Sequence, residues 1–255
     1  MSALIDTLTD LARRAGHVTL GYFQVDNLTI ETKTDDSPVT IADRETEQFI
    51  RREVARMFPD DVVIGEEFGE GAGAEGARRW IVDPIDGTKS FIHGVPLYGV
   101  MIGIEEKGQM VAGAVNIPAL GDLVVAERGH GCFWNGKHAH VSSVTRVQDA
   151  LVLTTDIRNN HKHGHGGAWD RISDLARIVR TWGDCYGHLL VATGRADVMV
   201  DPIMNPWDCA ALLPILEEAG GSFTDYHGNA TVYGGCAIST NGRLKDEVLA
   251  LANAG

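Results

Sequence analysis

Four apolar runs rich in valine and isoleucine, residues 80–82, 98–105, 110–117 and 122–127, follow one another with a glycine-bearing turn after each of the first three. Side chains branched at Cβ crowd a helix but pack well on a pleated surface, so this spacing predicts neighbouring antiparallel strands. The chain ahead of them has another rhythm. Leu4, Leu8, Leu11, Ala15 and Val18 recur at helical spacing, and residues 42–57 repeat the pattern with Phe49, Ile50, Val54 and Met57 as the apolar face. Beyond residue 147 the elements alternate. Strands are expected near 151–154, 197–200, 221–225 and 236–239, and helices over 168–179, 185–193, 207–219 and 244–252. Gly194 and Gly220 follow helical runs where a left-handed cap would sit. The expectation is an α+β first half, residues 1–147, built on an antiparallel sheet, and an α/β second half, residues 148–255. Gly69 to Ala77, the one low-complexity piece, reads as a mobile surface loop.

A net charge of −13 argues against nucleic acid as a partner, because phosphate backbones are bound by lysine and arginine displacing counterions. No apolar stretch approaches the roughly 18 residues of a membrane span, and no basic segment followed by an apolar core marks the N-terminus for export. A cytoplasmic protein without a membrane partner is expected. Cys132, Cys185, Cys209 and Cys236 include no close zinc-type pair and read as reduced core thiols.

The chemistry collects at the ends of apolar runs. Trp80-Ile-Val-Asp-Pro-Ile-Asp-Gly-Thr-Lys-Ser-Phe91 places Asp83 and Asp86 just past a short strand, and Gly87-Thr88 opens what reads as a helical turn. Glu66 and Glu67 close the run Val62-Val63-Ile64-Gly65, and Asp208 stands at a helix start after Pro206-Trp207. Strand ends and helix starts are where ligand sites of layered folds gather. Two carboxylates about 4 Å apart repel by roughly 4 kcal/mol at an effective dielectric near 20, so such a cluster needs cations. Oxygen donors with no His or Cys in the motif favour Mg²⁺ or Mn²⁺ over zinc or copper. A lone aspartate at one of these places would be explained as well by a helix cap; the pair inside one hexamer is not.

In order along the chain, Lys33-Thr-Asp-Asp-Ser-Pro-Val-Thr-Ile-Ala-Asp43, Gly65-Glu66-Glu67, Asp83-Pro-Ile-Asp-Gly-Thr88, Pro206-Trp207-Asp208-Cys-Ala-Ala and Glu217-Glu-Ala-Gly-Gly221 resemble the motifs of the inositol monophosphatase family of Mg²⁺-dependent, lithium-sensitive phosphatases. The resemblance implies a layered sugar-phosphatase fold that alternates helices and sheets, a homodimer, and an active site between the two halves. It implies that Glu66, Asp83, the Ile85 carbonyl, Asp86 and Asp208 hold two or three Mg²⁺ ions, with Mn²⁺ as an alternative. Backbone N–H groups of Gly87 and Thr88 would take the phosphate at a helix start. Asp43 and the Thr88 hydroxyl, with Glu66, would align and activate the attacking water. Asp43 has a second reading, because Thr40-Ile-Ala-Asp43 also fits a capping box. Lys33 is either a solvated loop lysine or part of the family's mobile loop, and Glu67 is expected behind the ligands rather than among them.

Two positions depart from the inositol-type enzymes. Asp201, followed by Pro202, stands where those carry a glutamate, and Trp182-Gly183-Asp184-Cys185-Tyr186 stands where they carry small neutral residues. Two carboxylates facing the alcohol half of a substrate suit a cation better than a neutral polyol, since an unpaired desolvated charge is costly and an ion pair offsets that cost. With Ser90-Phe-Ile-His-Gly-Val-Pro96, this resembles the histidinol-phosphatase branch, whose substrate carries an ammonium group and an imidazole. L-Histidinol phosphate is therefore the expected small phosphorylated metabolite, with Asn205 a candidate to reach the imidazole. Against this, Asp184 and Asp201 could cap a helix or pair with Arg180 or Arg195.

Three other functions stay open: an inositol-1-phosphate or broad sugar phosphatase, a nucleotidase acting on 3′-phosphoadenosine 5′-phosphate, and a catalytically silent metal- or phosphate-binding subunit. An intact Asp43 and Thr88 speak against the last. His161, His163 and His165 could hold a transition metal, but read more simply as a solvated glycine-rich loop. Trp134 and Trp169 read as core or interface residues.

Overall fold

A computed structural model of the chain describes residues 2–26, 28–32, 38–74 and 76–254. First come α1 (Ala3–Leu20), the antiparallel pair β1 (Ile30–Thr32) and β2 (Pro38–Thr40), and α2 (Ile41–Met57). Then follow β3 (Val62–Gly65), β4 (Gly69–Glu70), β5 (Arg79–Asp86), the short α3 (Thr88–Ile92), β6 (Gly99–Glu106), β7 (Gln109–Ile117), β8 (Asp122–Glu127), β9 (Gly131–Trp134) and β10 (Lys137–His138). The rest is β11 (Leu151–Leu153), α4 (Ile157–Lys162), α5 (Gly166–Leu175), β12 (Ile178–Arg180), α6 (Asp184–Ala192), β13 (Val198–Asp201), α7 (Pro206–Ala210), α8 (Leu212–Glu218), β14 (Ser222–Thr224), β15 (Ala237–Thr240) and α9 (Lys245–Asn253).

Eight strands form one sheet in the order β10-β9-β8-β7-β6-β5-β3-β4. The expected runs become β5 to β8, each antiparallel to the next, while β3 lies parallel to β5 on the other side. A second sheet has the order β12-β11-β13-β15-β14, parallel where β11 meets β12 and β13 and antiparallel around β15. Helices fill three layers around these sheets. On one face of the large sheet, Ile5, Leu8 and Leu11 of α1 are fully buried against Val100, Ile102, Ala112 and Ala114. Burial of each such leucine or isoleucine contributes about 1.5–3 kcal/mol. Between the sheets, Leu189 and Val191 of α6 and Leu212, Ile215 and Leu216 of α8 share a core with Met101 and Val115 of one sheet and Met199 and Phe223 of the other. On the outer face of the small sheet, Trp169, Ile172 and Val248 pack on Val152, Val198 and Ile238. The result is helix, sheet, helix, sheet, helix.

The middle layer sits unusually close to the large sheet. A β-carbon on Gly103 would lie 2.6 Å from Ala210, and one on Gly113 would lie 2.3 Å from the Ala211 carbonyl oxygen. Glycine in β6 and β7 lets the α7–α8 backbone approach, which brings the start of α7 to the end of β5.

Several local expectations change. The helix foreseen over 168–179 stops at Leu175, and Ile178–Arg180 joins the sheet as β12, where the Ile178 N–H donates to the Ala150 carbonyl at 3.2 Å. The helix foreseen over 207–219 is two helices, because Pro214 has no N–H for the ladder across their junction. The supposed histidine loop is helical through His161, with Asp156 capping α4 by accepting the Arg158 N–H at 2.8 Å. On α2, Ile50 and Val54 are fully buried, but Phe49 and Met57 are only half-buried. Asp43, Thr46 and Glu47 occupy the buried face nearer its start. Glu47 there accepts the Glu67 N–H at 2.7 Å and holds the turn after β3. Gly194 and Gly220 take φ +71° and +87° after their helices, as caps of this kind do. Within the stretch read as a mobile loop, Gly69–Glu70 pairs with β3 as β4, and residue 75 lies outside the described residues.

Candidate active site

The register of β5 against β6 slips between Asp83 and Asp86. Pro84 supplies the reason, since it has no N–H for the ladder, and the Asp83 carboxylate accepts the Ile85 N–H at 2.9 Å. Gly87 then takes φ +80°, a left-handed conformation; a β-carbon there would also lie 3.0 Å from the Leu97 carbonyl oxygen and 3.1 Å from Asp184 Oδ2. α3 begins at the next residue. Asp208 arrives from far along the chain, in the first turn of α7, where it accepts the Asn205 N–H at 2.7 Å. One carboxylate oxygen from each of Asp83, Asp86 and Asp208 lies within 4.8 Å of the other two. Glu66 follows β3 directly, its N–H donating to the Val82 carbonyl at 3.2 Å.

Burial is the largest cause that pushes the Asp83 carboxyl well above its ordinary value, followed by the charges of Glu66, Asp86 and Asp208. Burial and then Asp208 lift Asp86 to about 7, against the Cys185 N–H that favours its anion. Burial likewise lifts Asp208 to about 7, opposed by Asn205 and reinforced by Glu66. Such a cluster must carry protons or cations. Its donors are all carboxylate oxygens at short mutual range, so the residues present fit a hard divalent ion. The Ile85 carbonyl accepts the Thr88 hydroxyl at 2.9 Å and keeps a lone pair free for an ion.

Asp43 meets both the start of its own helix and Thr88. Its Oδ2 accepts the Thr40 N–H at 2.8 Å and the Thr40 hydroxyl at 2.6 Å, completing the capping box, while Oδ1 lies 3.5 Å from Thr88 Oγ1. Burial raises the Asp43 carboxyl, partly opposed by those Thr40 bonds.

These groups open on a cavity of about 650 Å³ whose lining comes from both halves of the chain: Glu66, Asp86 and Thr88 on one side, Thr155, Asp184 and Asp201 on the other, with Asp208 between the motifs. Asp156 lines it too, so six carboxylates face it, and Lys89 is the one lysine or arginine among the lining residues described. Asp184 opens α6, and burial, then the charges of Asp86 and Asp201, push its carboxyl well above the ordinary range. Asp201 pairs with neither Arg180 nor Arg195 among the described contacts; Thr155 and His188 flank it. Arg195 instead lies over the Trp134 ring at 4.2 Å. Asn205 is exposed and outside the cavity lining, its side-chain amide 3.4 Å from the Asp208 carboxylate, so its visible partner is a carboxylate of the acidic cluster.

Residues 33–37, Lys33 among them, lie outside the described residues. The three histidines do not converge: His161 reaches Asp170 at 3.4 Å, and His165 stacks on Tyr226 with ring centroids 3.8 Å apart. Sequence reasoning missed Thr155, Asp156 and His188. The first two stand just past the end of β11, the kind of position already used for Asp83; His188 is one polar residue within an apolar helix and carried no signal of its partner.

Residues 1–254 match the model of the inositol monophosphatase family. The histidinol-phosphatase of Chlorobaculum parvum is 49% identical over 242 residues, covering 94% of this chain and 93% of that protein. The histidinol-phosphatase of Mycobacterium tuberculosis is 41% identical over 250 residues, 96% of each. Among solved structures, the extragenic suppressor protein suhB from Bartonella henselae superposes with a TM-score of 0.91 over 100% of both chains at 29% identity.

Proposed function

The chain belongs to the inositol monophosphatase family, and from that premise we propose that it is a divalent-metal-dependent phosphomonoesterase that hydrolyses L-histidinol phosphate to L-histidinol and phosphate. The observation that carries the reading is the charge of the cavity. Beyond the cluster of Asp83, Asp86 and Asp208, its other wall adds Asp156, Asp184 and Asp201, an acidic lining that would suit an ester whose alcohol is a cation better than one whose alcohol is a neutral polyol.

Glu66, Asp83, Asp86, Asp208 and the Ile85 carbonyl would hold the metal, with Mg²⁺ proposed and Mn²⁺ as the alternative. Bound there, divalent ions would acidify the attacking water and neutralise the phosphoryl oxygens. The chain's own groups do the rest. Thr88 Oγ1, between the Ile85 carbonyl and Asp43 Oδ1, can orient the water, and Asp43 can accept its proton at Oδ1. Gly87 and Thr88, at the turn into α3, are proposed to present N–H groups to the phosphate. The proposal extends to a homodimer, to be checked by sedimentation, and to the cytoplasm, where its four buried thiols would stay unpaired.

The test measures phosphate release with Mg²⁺ from L-histidinol phosphate, inositol 1-phosphate and the bisphosphorylated nucleotide in parallel. A higher kcat/KM for L-histidinol phosphate is expected; a preference for either other ester overturns the assignment.

A further inference from the structure

We infer that Thr155 is a positioning residue for selectivity: its hydroxyl ties together the two carboxylates, Asp184 and Asp201, that face the alcohol half of the ester, and so sets the site for a cation. The inference deepens the proposed function and rests on it.

β11 and β13 run parallel in register, Leu153 opposite Met199, so Thr155 and Asp201 emerge side by side at the same end of the sheet. The Thr155 N–H donates to Asp201 Oδ1 at 3.2 Å, and its hydroxyl donates to Asp201 Oδ2 at 2.9 Å. The same hydroxyl oxygen accepts the Asp184 N–H at 2.8 Å. One Oγ1 atom therefore serves as donor to one carboxylate and acceptor from the backbone that carries the other.

Both partners need that hold. Asp184 has φ +53°, a left-handed conformation disfavoured for a residue with a side chain, and its N–H finds its acceptor in Thr155. Gly183 makes the approach possible: a β-carbon there would lie 2.4 Å from Thr155 Cα and 2.7 Å from Oγ1. Behind Asp201 lies His188, fully buried, whose Nδ1 meets the Ser239 hydroxyl at 2.7 Å and whose Nε2 comes within 3.3 Å of Asp201 Oδ2 without a hydrogen bond between them. The hydrogen-bonded series Asp201, Thr155, Asp184 thus runs from the end of β13 to the start of α6 along the cavity wall. Asp201 keeps lone pairs beyond those bonds, and among the described residues no hydrogen bond is made to the Asp184 carboxylate, so both retain capacity for an ammonium or imidazolium donor. The Thr155 hydrogen bonds end on Asp201 and on the Asp184 N–H, so their loss is expected to change which ester is held more than how it is cleaved.

The test compares Thr155→Val, which keeps the shape and removes the hydroxyl, with Thr155→Ser, which restores it. Thr155→Ala is carried alongside in case valine crowds Gly183, and is read by the same ratio. For each variant kcat and KM are measured with L-histidinol phosphate and with inositol 1-phosphate, with melting temperatures as the fold control. Losing a hydrogen bond to a charged group predicts a fall of about 10- to 100-fold in kcat/KM for L-histidinol phosphate, mostly through KM, against a change within about threefold for inositol 1-phosphate. Serine is expected to recover most of the loss. Equal losses on the two esters, an unchanged ratio, or a serine variant no better than valine would overturn the inference. A wild-type enzyme that prefers inositol 1-phosphate removes the functional reading and this inference with it, whereas a wild-type preference for L-histidinol phosphate that survives Thr155→Val removes the inference alone.

Discussion

Two groups of carboxylates share one cavity and are maintained in opposite ways. One oxygen from each of Asp83, Asp86 and Asp208 lies within 4.8 Å of the others, and burial first, then neighbouring carboxylates with Glu66 among them, hold each above its ordinary pKa. Asp201 faces hydrogen-bond donors instead, with Thr155 on both of its oxygens. The first group is costly until protons or cations compensate it. In the second, Asp201 is compensated by hydrogen bonds from Thr155. Asp184 stands between them, its carboxyl raised by burial and then by Asp86 and Asp201.

The strongest way to break that contrast is Asp86→Asn. Removing a carboxylate from the cluster should lower kcat/KM by about 10³-fold or more, as several kcal/mol of charge stabilisation are lost, with circular dichroism unchanged. Unchanged phosphate release would end the assignment of the cluster to metal.

The same variant sharpens the contrast through pH. A carboxyl whose folded pKa is raised from 3.8 to about 7 keeps its proton in the folded state while the unfolded chain has released it, so folding weakens as pH rises from about 4 to 7. For one such group the cost above that window is on the order of 4 kcal/mol. Without metal, the wild-type melting temperature should therefore fall more between pH 5 and pH 8 than that of Asp86→Asn, which loses both its own titration and the charge that helps raise Asp83 and Asp184. Mg²⁺ competes with those protons, so the stabilisation it gives should grow with pH. Parallel melting curves for the two proteins across that range, or a Mg²⁺ effect independent of pH, would contradict this account.

A smaller effect is expected on the other wall. Asp201→Ala should cut turnover of L-histidinol phosphate by about 10- to 100-fold and that of a neutral ester much less, since it deletes a charge partner and removes the acceptor of the Thr155 N–H and hydroxyl. Equal damage to both esters would make Asp201 structural. The mildest case is Asn205→Ala, which removes a capping side chain beside Asp208 and should cost about 1 kcal/mol of stability while leaving the ratio between esters unchanged. A changed ratio would restore Asn205 as a contact for the imidazole.

Much of the architecture was legible because it is periodic. The Val- and Ile-rich run 98–105 became β6, and of the residues spaced along α1, Leu8, Leu11 and Ala15 are buried as expected while Leu4 and Val18 are half-buried and Ile5 takes the buried place, so neighbours in sequence announced the element though not every contact. The failures share a cause. Residues 176–180 continue a plausible helix, yet β11 offers Ile178–Arg180 an edge to pair with, and the sequence around them does not mention β11. His161 to His165 looked like a loop because glycine is frequent there, while Asp156 upstream supplied a helix start.

The candidate site divides along the same line. Which side chains can bind a hard cation, and the kink at Pro84 that presents two of them, follow from the local sequence: a β-branched run, a residue without an N–H, and a glycine able to adopt a positive φ. That Asp208 joins Asp83 and Asp86, that Asp43 both caps α2 and meets Thr88, and that Thr155 bridges Asp184 to Asp201 were decided by the tertiary structure. Each of these meetings joins segments widely separated along the chain: α7 approaches the large sheet across glycines 103 and 113, α2 and α3 share the small core of Ala42, Ile85, Phe91 and Tyr98, and Asp184 comes up to Thr155 across Gly183. Periodicity specifies which face of an element is buried; only packing specifies what it is buried against.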